Sequence, residues 1–240
     1  MTDLPRIKEI KSQSRRGAIG VQRQEFARQY RQTLELIYDE IKTASGPYVK
    51  SGDKNITCSK GCTSCCSQFI SVNLSHALFI VDYLYSGYKA MPVFLRGYDK
   101  WLSSFENNQK AMSVLVNLEE YTTRSAKVKH YSQELCTDYH KLGIPCPFLD
   151  QGQCAIHEVR PVVCASYFSL SPFEQCRPDS DSPPAILSID PAEIYLRRMA
   201  GLADIRWYTH QEPLPTLVYK LLTQGLPEVA RQTDHLFDSR

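Results

Sequence analysis

Several features that would place the chain in a common class are missing from its 240 residues. No apolar run reaches the roughly 18 residues that a membrane-spanning helix needs. The N-terminal segment is polar and of mixed charge, without the apolar core of a secretory signal. Asp3 and Glu9 do not fit the acid-poor composition of an organelle-targeting peptide. These absences favour a cytoplasmic protein with no membrane segment.

The charge balance does not indicate a strong electrostatic partner. The chain has 28 basic and 26 acidic residues, a formal net charge of +2, and its basic residues are spread along the sequence. Nucleic-acid-binding proteins concentrate positive charge in a patch or stripe, so we expect no nucleic-acid partner. A glycine-rich nucleotide loop and an alternating series of strands and helices are also missing. The partner is therefore an unknown protein or small molecule.

Hydrophobic periodicity predicts a mainly α protein with irregular cysteine-rich loops and little β structure. Apolar residues recur at helical spacing over 22–43 and again from Phe94 to Leu118. Residues 69–73 alternate and predict a short strand, and Asp150-Gln151-Gly152 predicts the turn of a small hairpin. The expected helices cover 22–43, 75–85 with Ser75 as N-cap, 92–120 with Pro92 in the first turn, the following segment to about 142, 191–200, and 214–224 closed by Gly225.

The distribution of cysteine and apolar residues divides the chain into three parts. Residues 1–50 form an N-terminal helical lead-in, which the turn-rich segment 45–55 should end. Residues 51–180 form a cysteine-cluster domain with inserted long helices. Residues 181–240 supply C-terminal helices that pack on the same domain.

The first unusual feature is a dense cysteine segment. The chain has nine cysteines. Four of them follow the pattern C-x3-C-x2-C-C, namely Cys58, Cys62, Cys65 and Cys66. In a reducing compartment such clusters indicate metal sites or catalysis before disulfides. The adjacent Cys65 and Cys66 cannot easily pair with each other without straining the backbone. Thiolates bind zinc, iron and iron–sulfur clusters, so this segment predicts a metal site.

A second segment contains Cys146, Cys154 and Cys164 among several prolines. A proline directly after a ligand cysteine, as in Cys146-Pro147, also occurs in bacterial ferredoxin loops. His157 could supply a nitrogen ligand, although a hydrogen-bonded surface histidine is the interpretation that we favour. Arg160 could offset the charge of a thiolate-rich site or donate a hydrogen bond to a backbone carbonyl.

The remaining cysteines and histidines receive weaker predictions. Cys136 falls in a helical stretch and is expected to be a small buried hydrophobic residue, whereas Cys176 is a reserve ligand. The scattered histidines have no matched nucleophile or ligand spacing, and we expect them at the surface or in caps: His76, His130, His140, His210 and His235.

The two segments together resemble the YkgJ-type cysteine-cluster family, which is described as zinc- or iron-chelating. The resemblance rests on C-x3-C-x2-C-C, then Cys146-Pro147-Phe148-Leu149, then a C-x-I-x-x-x-R-P-x-x-C segment from Cys154 to Cys164. It covers about residues 55 to 168, and His157 stands where the family often has tyrosine. It implies one folded unit that gathers seven metal ligands: Cys58, Cys62, Cys65, Cys66, Cys146, Cys154 and Cys164. A flagellin lysine methylase contains a similar cluster, which keeps protein modification among the candidate functions.

These observations leave several functions open. We favour an iron–sulfur cluster or iron held by the clustered cysteines. Whether the protein is an enzyme, in redox or protein-modification chemistry, stays open. The alternatives are a structural zinc module that docks a partner, metal storage or delivery, and a thiol redox sensor. The spacing of Cys58, Cys62 and Cys65 also matches radical S-adenosylmethionine enzymes, but this chain lacks their strand–helix alternation. Seven thiolates do not fill two four-coordinate sites, so an eighth ligand could be His157, Cys176, water or substrate.

Overall fold

The computed structural model describes residues 16–50, 55–59, 61–86, 89–124, 133–190, 194, 198–199 and 211–238. The fold is mainly α, as the periodicity predicts. Its helices are α1 (Arg16–Lys50), α2 (Leu74–Ser86), α3 (Ala90–Glu106), α4 (Gln109–Arg124), α5 (Gln133–Lys141), α6 (Val162–Ser166), α7 (Leu214–Gln224) and α8 (Leu226–Asp238). Its short strands are β1 (Ser71–Asn73), β2 (Leu149–Asp150), β3 (Gln153–Cys154) and β4 (Gln211–Pro213). In the described part of the chain, no helix combines the length and apolarity needed to cross a membrane.

Helix α1 is longer than its apolar stripe predicts. The stripe is buried as expected, at Phe26, Tyr30, Leu34, Ile37 and Ile41. The prediction that the turn-rich segment ends the helix near residue 45 was wrong, since the helix runs through Pro47 to Lys50. Pro47 lies in the final turn of the helix. Proline lacks a backbone N–H and so removes one helical hydrogen bond, but little of the helix follows it. The carbonyl of Tyr48 then accepts a 3.0 Å hydrogen bond from the amide of Ile56, which directs the chain into the first cysteine segment.

Helix α2 lies at the centre of the molecule. Most of its residues are buried, and it packs against α7 and α1. The predicted strand precedes it as β1, which pairs antiparallel with β4 so that Val72 lies opposite Glu212. The predicted N-cap was wrong by two positions: the side-chain Oδ1 of Asn73 accepts a 2.9 Å hydrogen bond from the amide of His76. Asparagine at this position satisfies a free amide of the first turn, as N-caps do.

The long helix predicted over 92–120 is two helices, α3 and α4. The helix is interrupted at Asn107–Asn108, where the Oδ1 of Asn108 accepts a 3.1 Å hydrogen bond from the amide of Ala111. A local asparagine cap competes with helix continuation and starts a new helix. The apolar period survives the break, because buried residues continue on both sides of it, at Phe94, Tyr98, Trp101 and Phe105 in α3 and at Ala111, Val114, Leu115 and Leu118 in α4.

The predicted hairpin is confirmed as β2 and β3. Gln151 and Gly152 form its turn with φ values of 48° and 75°, the left-handed pair that a two-residue hairpin turn requires. The helix predicted from about 120 to about 142 is present over Gln133–Lys141 as α5, and 125–132 lie outside the described residues. Helix α7 ends at Gly225 with φ of 78°, as predicted. Most of the helix predicted over 191–200 lies outside the described residues. Helix α8 was not predicted.

Candidate metal centre

The first cysteine segment is wound into successive tight turns. The amide of Cys62 donates to the carbonyl of Ser59 at 3.1 Å, and the amide of Cys66 donates to the carbonyl of Thr63 at 2.8 Å. Within the first of these turns Gly61 adopts a φ of 88°, which a residue without Cβ adopts readily. A short 3-10 helix, Ser64–Ser67, contains the adjacent pair Cys65 and Cys66. The spacing of the four cysteines therefore places their side chains around one compact loop.

The second cysteine segment is fixed against helix α3 and the first segment. The amide of Cys146 donates a 2.7 Å hydrogen bond to the carbonyl of Cys66. The Phe148 ring stacks on Phe94 of α3, with centroids 4.6 Å apart. Gly97 of α3 lies against the backbone of Pro147, and a Cβ on Gly97 would be 2.1 Å from the carbonyl oxygen of Pro147. The Cys146-Pro147 step is therefore held between the first loop and a helix that has no side chain at the point of contact.

A third segment, 167–176, closes the other side of the first loop. The amide of Thr57 donates to the carbonyl of Ser169 at 2.9 Å, and the amide of Ser169 donates to the Cys58 Sγ at 3.3 Å. The 3-10 helix Phe173–Cys176 then contacts the 3-10 helix Ser64–Ser67. The ring of His140 bridges the two, with Nδ1 at 3.0 Å from the Ser67 Oγ and Nε2 at 3.2 Å from the Cys176 carbonyl oxygen. Cys176 is thus brought to the cysteine cluster.

The cysteine sulfurs are close enough to influence one another's ionisation. Burial raises the pKa of Cys164 well above its ordinary value, and the thiols of Cys146, Cys65 and Cys154 raise it further. Burial raises the pKa of Cys146 to about 12, and Cys154 and Cys65 again contribute. The hydrogen bond with Cys65 raises the pKa of Cys66, followed by burial and by Cys146 and Cys154. Five thiols therefore form one neighbourhood, Cys65, Cys66, Cys146, Cys154 and Cys164.

A second neighbourhood lies on the other side of Cys65. Partial burial raises the pKa of Cys58, the amide of Ser169 lowers it, and the thiols of Cys62, Cys65 and Cys176 raise it. Burial also raises the pKa of Tyr167, and Cys176, Cys65 and Cys58 add to that effect. Cys65 is common to both neighbourhoods. Each of the seven motif cysteines, and Cys176 besides, therefore influences the pKa of another thiol or is influenced by one.

Arg160 places a positive charge beside the thiols. The pKa of Cys65 is lowered to about 7, chiefly by the hydrogen bond with Cys66, and the Arg160 guanidinium contributes to the lowering. The same guanidinium lies 5.8 Å from the ring centroid of Tyr38 and contacts the Nε2 of His157. Its Nε is buried and has no hydrogen-bond partner in the described part of the chain. A buried donor without a partner is costly, and a thiolate-bound metal centre carries the negative charge that would satisfy it.

The sulfurs are neighbours without being in coordination geometry. Among the described residues, which include all nine cysteines, no three or more Cys, His, Asp or Glu side chains stand where they could hold a metal ion. All nine cysteines are free thiols. The donor set itself fits zinc, iron or an iron–sulfur cluster, because these take several thiolates and a cation reverses the repulsion among clustered thiolates.

His157 and Cys136 differ from the cluster in their surroundings. His157 is exposed. Partial burial and then Arg160 lower the pKa of its imidazole, Glu158 raises it, and no cysteine contributes to the shift. Cys136 is half-buried against the core, and burial alone raises its pKa. These surroundings agree with the surface interpretation of His157 and the hydrophobic interpretation of Cys136.

The structure describes the side chains of two of the scattered histidines, His76 and His140, and those of His130, His210 and His235 lie outside the described residues. His76 is buried, and its Nε2 lies 3.1 Å from the carbonyl oxygen of Val159, so its predicted surface position was wrong. His140 connects the loops of the cluster, and neither position carries a sequence signal that would reveal its partners. Gly97 does carry one, since an isolated glycine within a helical period commonly marks a close packing contact.

Comparison with known proteins adds no relative. No family model, curated protein or solved structure matches the chain. The resemblance to the cysteine-cluster family therefore depends on the motifs in the sequence.

Proposed function

We propose that the protein holds an iron–sulfur cluster, or iron, through its clustered cysteines, as the YkgJ-type motif implies. The observation that supports this most directly is the contact between two remote cysteine segments, through the hydrogen bond from Cys146 to Cys66. This arrangement places several half-buried thiols close together. Burial first and the neighbouring thiols second raise the pKa values of Cys146 and Cys164, so forming thiolates there is costly. A bound cation offsets that cost.

The seven proposed ligands are Cys58, Cys62, Cys65, Cys66, Cys146, Cys154 and Cys164. The adjacent pair and the Cys146-Pro147 step favour an iron–sulfur cluster over zinc. When bound, such a cluster supplies electron transfer. The protein's own contribution is to hold the thiols in two fixed loops and to place the Arg160 guanidinium beside them. A reducing, cytoplasmic location belongs to the proposal, since it keeps these cysteines available as ligands.

A structural zinc module is the second candidate, and the position of Cys176 favours it. Cys176 joins Cys58, Cys62 and Cys65 in one neighbourhood, while Cys66, Cys146, Cys154 and Cys164 belong to the other. Two sets of four thiolates would fill two closed tetrahedral sites, which is the usual form of structural zinc. Zinc would then join the loops and stabilise the fold for docking of a partner protein.

Elemental analysis decides between the two candidates. The full chain is purified without oxygen, iron, acid-labile sulfide and zinc are measured per chain, and the absorption spectrum is recorded. Iron with sulfide and a broad visible absorption is the expected result. Zinc alone in a colourless protein would replace the iron–sulfur proposal with the zinc module, and weak, exchangeable metal would indicate storage or delivery. Protein without any metal would leave the thiol redox sensor and overturn both candidates.

A further inference from the structure

A small cleft lies between helix α3 and the second cysteine segment. It has a volume of about 200 Å³, the share of roughly six or seven liquid water molecules. The α3 side contributes Arg96, Gly97, Lys100 and Trp101, and the side of the second cysteine segment contributes Cys146 and Asp150. The cleft therefore has a mixed apolar and charged lining, as small-ligand sites do, and one of its walls includes a proposed metal ligand.

The two cations of the cleft come from one face of α3. Arg96 and Lys100 are four residues apart, so their side chains are neighbours on the helix surface. Like charges at this spacing weaken a helix. Neither side chain forms an ion pair or a side-chain hydrogen bond with any described residue, and Asp150 across the cleft is not within ion-pair distance of them. The pair is therefore available to an anion from solution.

The shape of the cleft is fixed by its base. Gly97 lies between Arg96 and Lys100 in sequence and lets the Pro147 carbonyl approach the helix closely. Trp101 is buried, and its Nε1 donates a 2.9 Å hydrogen bond to the Tyr139 hydroxyl. Phe94 of α3 and Phe148, the residue after Pro147, stack on each other. Because these groups are held in place, the base of the cleft keeps its form without a ligand, and binding has to order only the exposed side chains of Arg96 and Lys100.

We propose that this cleft binds a small oxyanion, a carboxylate or phosphate of metabolite size, through Arg96 and Lys100. Arginine suits this role because its planar guanidinium donates two parallel hydrogen bonds to a carboxylate or phosphate. The Asp150 carboxylate on the opposite wall repels anions, and this repulsion grows with the charge of the anion. It therefore favours a small anion of low charge. That the anion lies beside a metal centre, at Cys146, rests on the proposed function, whereas the binding itself does not.

Titration calorimetry on the full chain tests the proposal, with inorganic phosphate in one series and malonate in another. Chloride keeps the ionic strength constant, because screening alone weakens surface electrostatics. Saturable binding of at least one anion is expected. The double variant Arg96→Gln/Lys100→Gln should weaken that binding about tenfold or more, since each charge-assisted hydrogen bond contributes substantially. Asp150→Asn should strengthen it, because the variant removes a negative charge from the wall.

Lys110→Gln is the matched control, an exposed lysine of α4 outside the cleft, and should bind like the unchanged protein. The absence of saturable heat with both anions would overturn the proposal, as would equal affinity in the double variant. Metal content is measured in the same samples. Anion binding without metal refutes only the proposed function, and metal without anion binding refutes only the cleft.

Discussion

The backbone amide of Cys146 donates a 2.7 Å hydrogen bond to the carbonyl oxygen of Cys66. This one bond joins the two cysteine segments, which the chain separates by helices α2 to α5. It also places Cys146 beside the adjacent pair Cys65 and Cys66, and burial followed by neighbouring thiols raises the pKa of Cys146. Because this hydrogen bond joins two backbone atoms, the contact between the segments does not depend on the thiol side chains. Single cysteine variants should therefore retain the fold while losing metal, and the thiols can be tested one at a time.

Cys65 belongs to both thiol neighbourhoods, so its removal should have the largest effect on metal content. We expect Cys65→Ser to reduce bound metal to less than about half, because a missing thiolate lowers metal affinity steeply. Cys136→Ser is the control, since Cys136 is half-buried in α5 and no other thiol influences its pKa. Metal per chain is measured after anaerobic purification, with circular dichroism to establish folding. Equal metal content in the two variants would contradict the assignment of Cys65 as a ligand.

Gly97 should be required for the position of the second cysteine segment. A Cβ at this position would lie 2.1 Å from the carbonyl oxygen of Pro147, which is backbone and cannot rotate away. Gly97→Ala should therefore move the Cys146-Pro147 step, lower the free energy of unfolding by about 1–3 kcal/mol and reduce metal content.

Gly46→Ala is the matched control for this variant. Gly46 also lies in a helix, and a Cβ there would meet nothing within 4 Å. The control should be neutral or slightly stabilising, because alanine is the better helix former. Urea unfolding and metal analysis of both variants check the prediction, and a Gly97→Ala protein as stable as Gly46→Ala would show that the contact relaxes easily.

The eighth ligand can be identified by comparing Cys176 with His157. Cys176 lies among Cys58, Cys62 and Cys65, whereas the ring of His157 contacts Arg160. We expect Cys176→Ala to lose metal from one site, visible as a fractional loss of metal per chain, and His157→Ala to retain it. Loss of metal from His157→Ala alone would assign the eighth position to the imidazole instead.

The helical part of this fold was predictable because burial of an apolar stripe follows directly from its period. Phe26, Tyr30 and Leu34 show this in α1, and the stripe continues from α3 into α4 even across the break at Asn108. The break itself was missed because a single side-chain cap changes the chain direction without changing the apolar period. The pairing of β1 with β4 could not be predicted from the sequence either. Three residues on each side carry no register signal, and their partners are remote in sequence.

The candidate site was predictable only as a set of ligands. The motif spacing identifies seven cysteines, but the neighbourhood of Cys176 is created by hydrogen bonds between Thr57 and Ser169. The bridge from His140 to the Cys176 carbonyl likewise depends on how α5 packs against the loops. Tertiary contacts of this kind join residues that have no fixed sequence separation, so no spacing rule reveals them.

His76 should make the fold less stable in mild acid. Its buried ring has a pKa lowered to about 4, chiefly by burial, while the neutral ring can donate through Nε2 to the Val159 carbonyl. The unfolded chain takes up this proton near pH 6.5, its ordinary value, and the folded chain does so only near the lower value. The unfolded state therefore binds more protons between these limits. Stability contributed by the neutral ring is complete above about pH 6.5 and is lost as the pH falls toward about 4.

His76→Gln removes this titration and retains a side-chain N–H that can donate to the Val159 carbonyl. Between about pH 7.5 and about pH 5, the unchanged protein should lose about 2 kcal/mol more of its free energy of unfolding than the variant. Urea unfolding at several pH values checks this, and the comparison cancels the contributions of carboxylates and thiols that both proteins share. His157→Gln is the control and should keep most of the pH dependence, since His157 is exposed. Parallel pH profiles for the unchanged protein and His76→Gln would mean that water or a local opening lets the buried ring become protonated without unfolding.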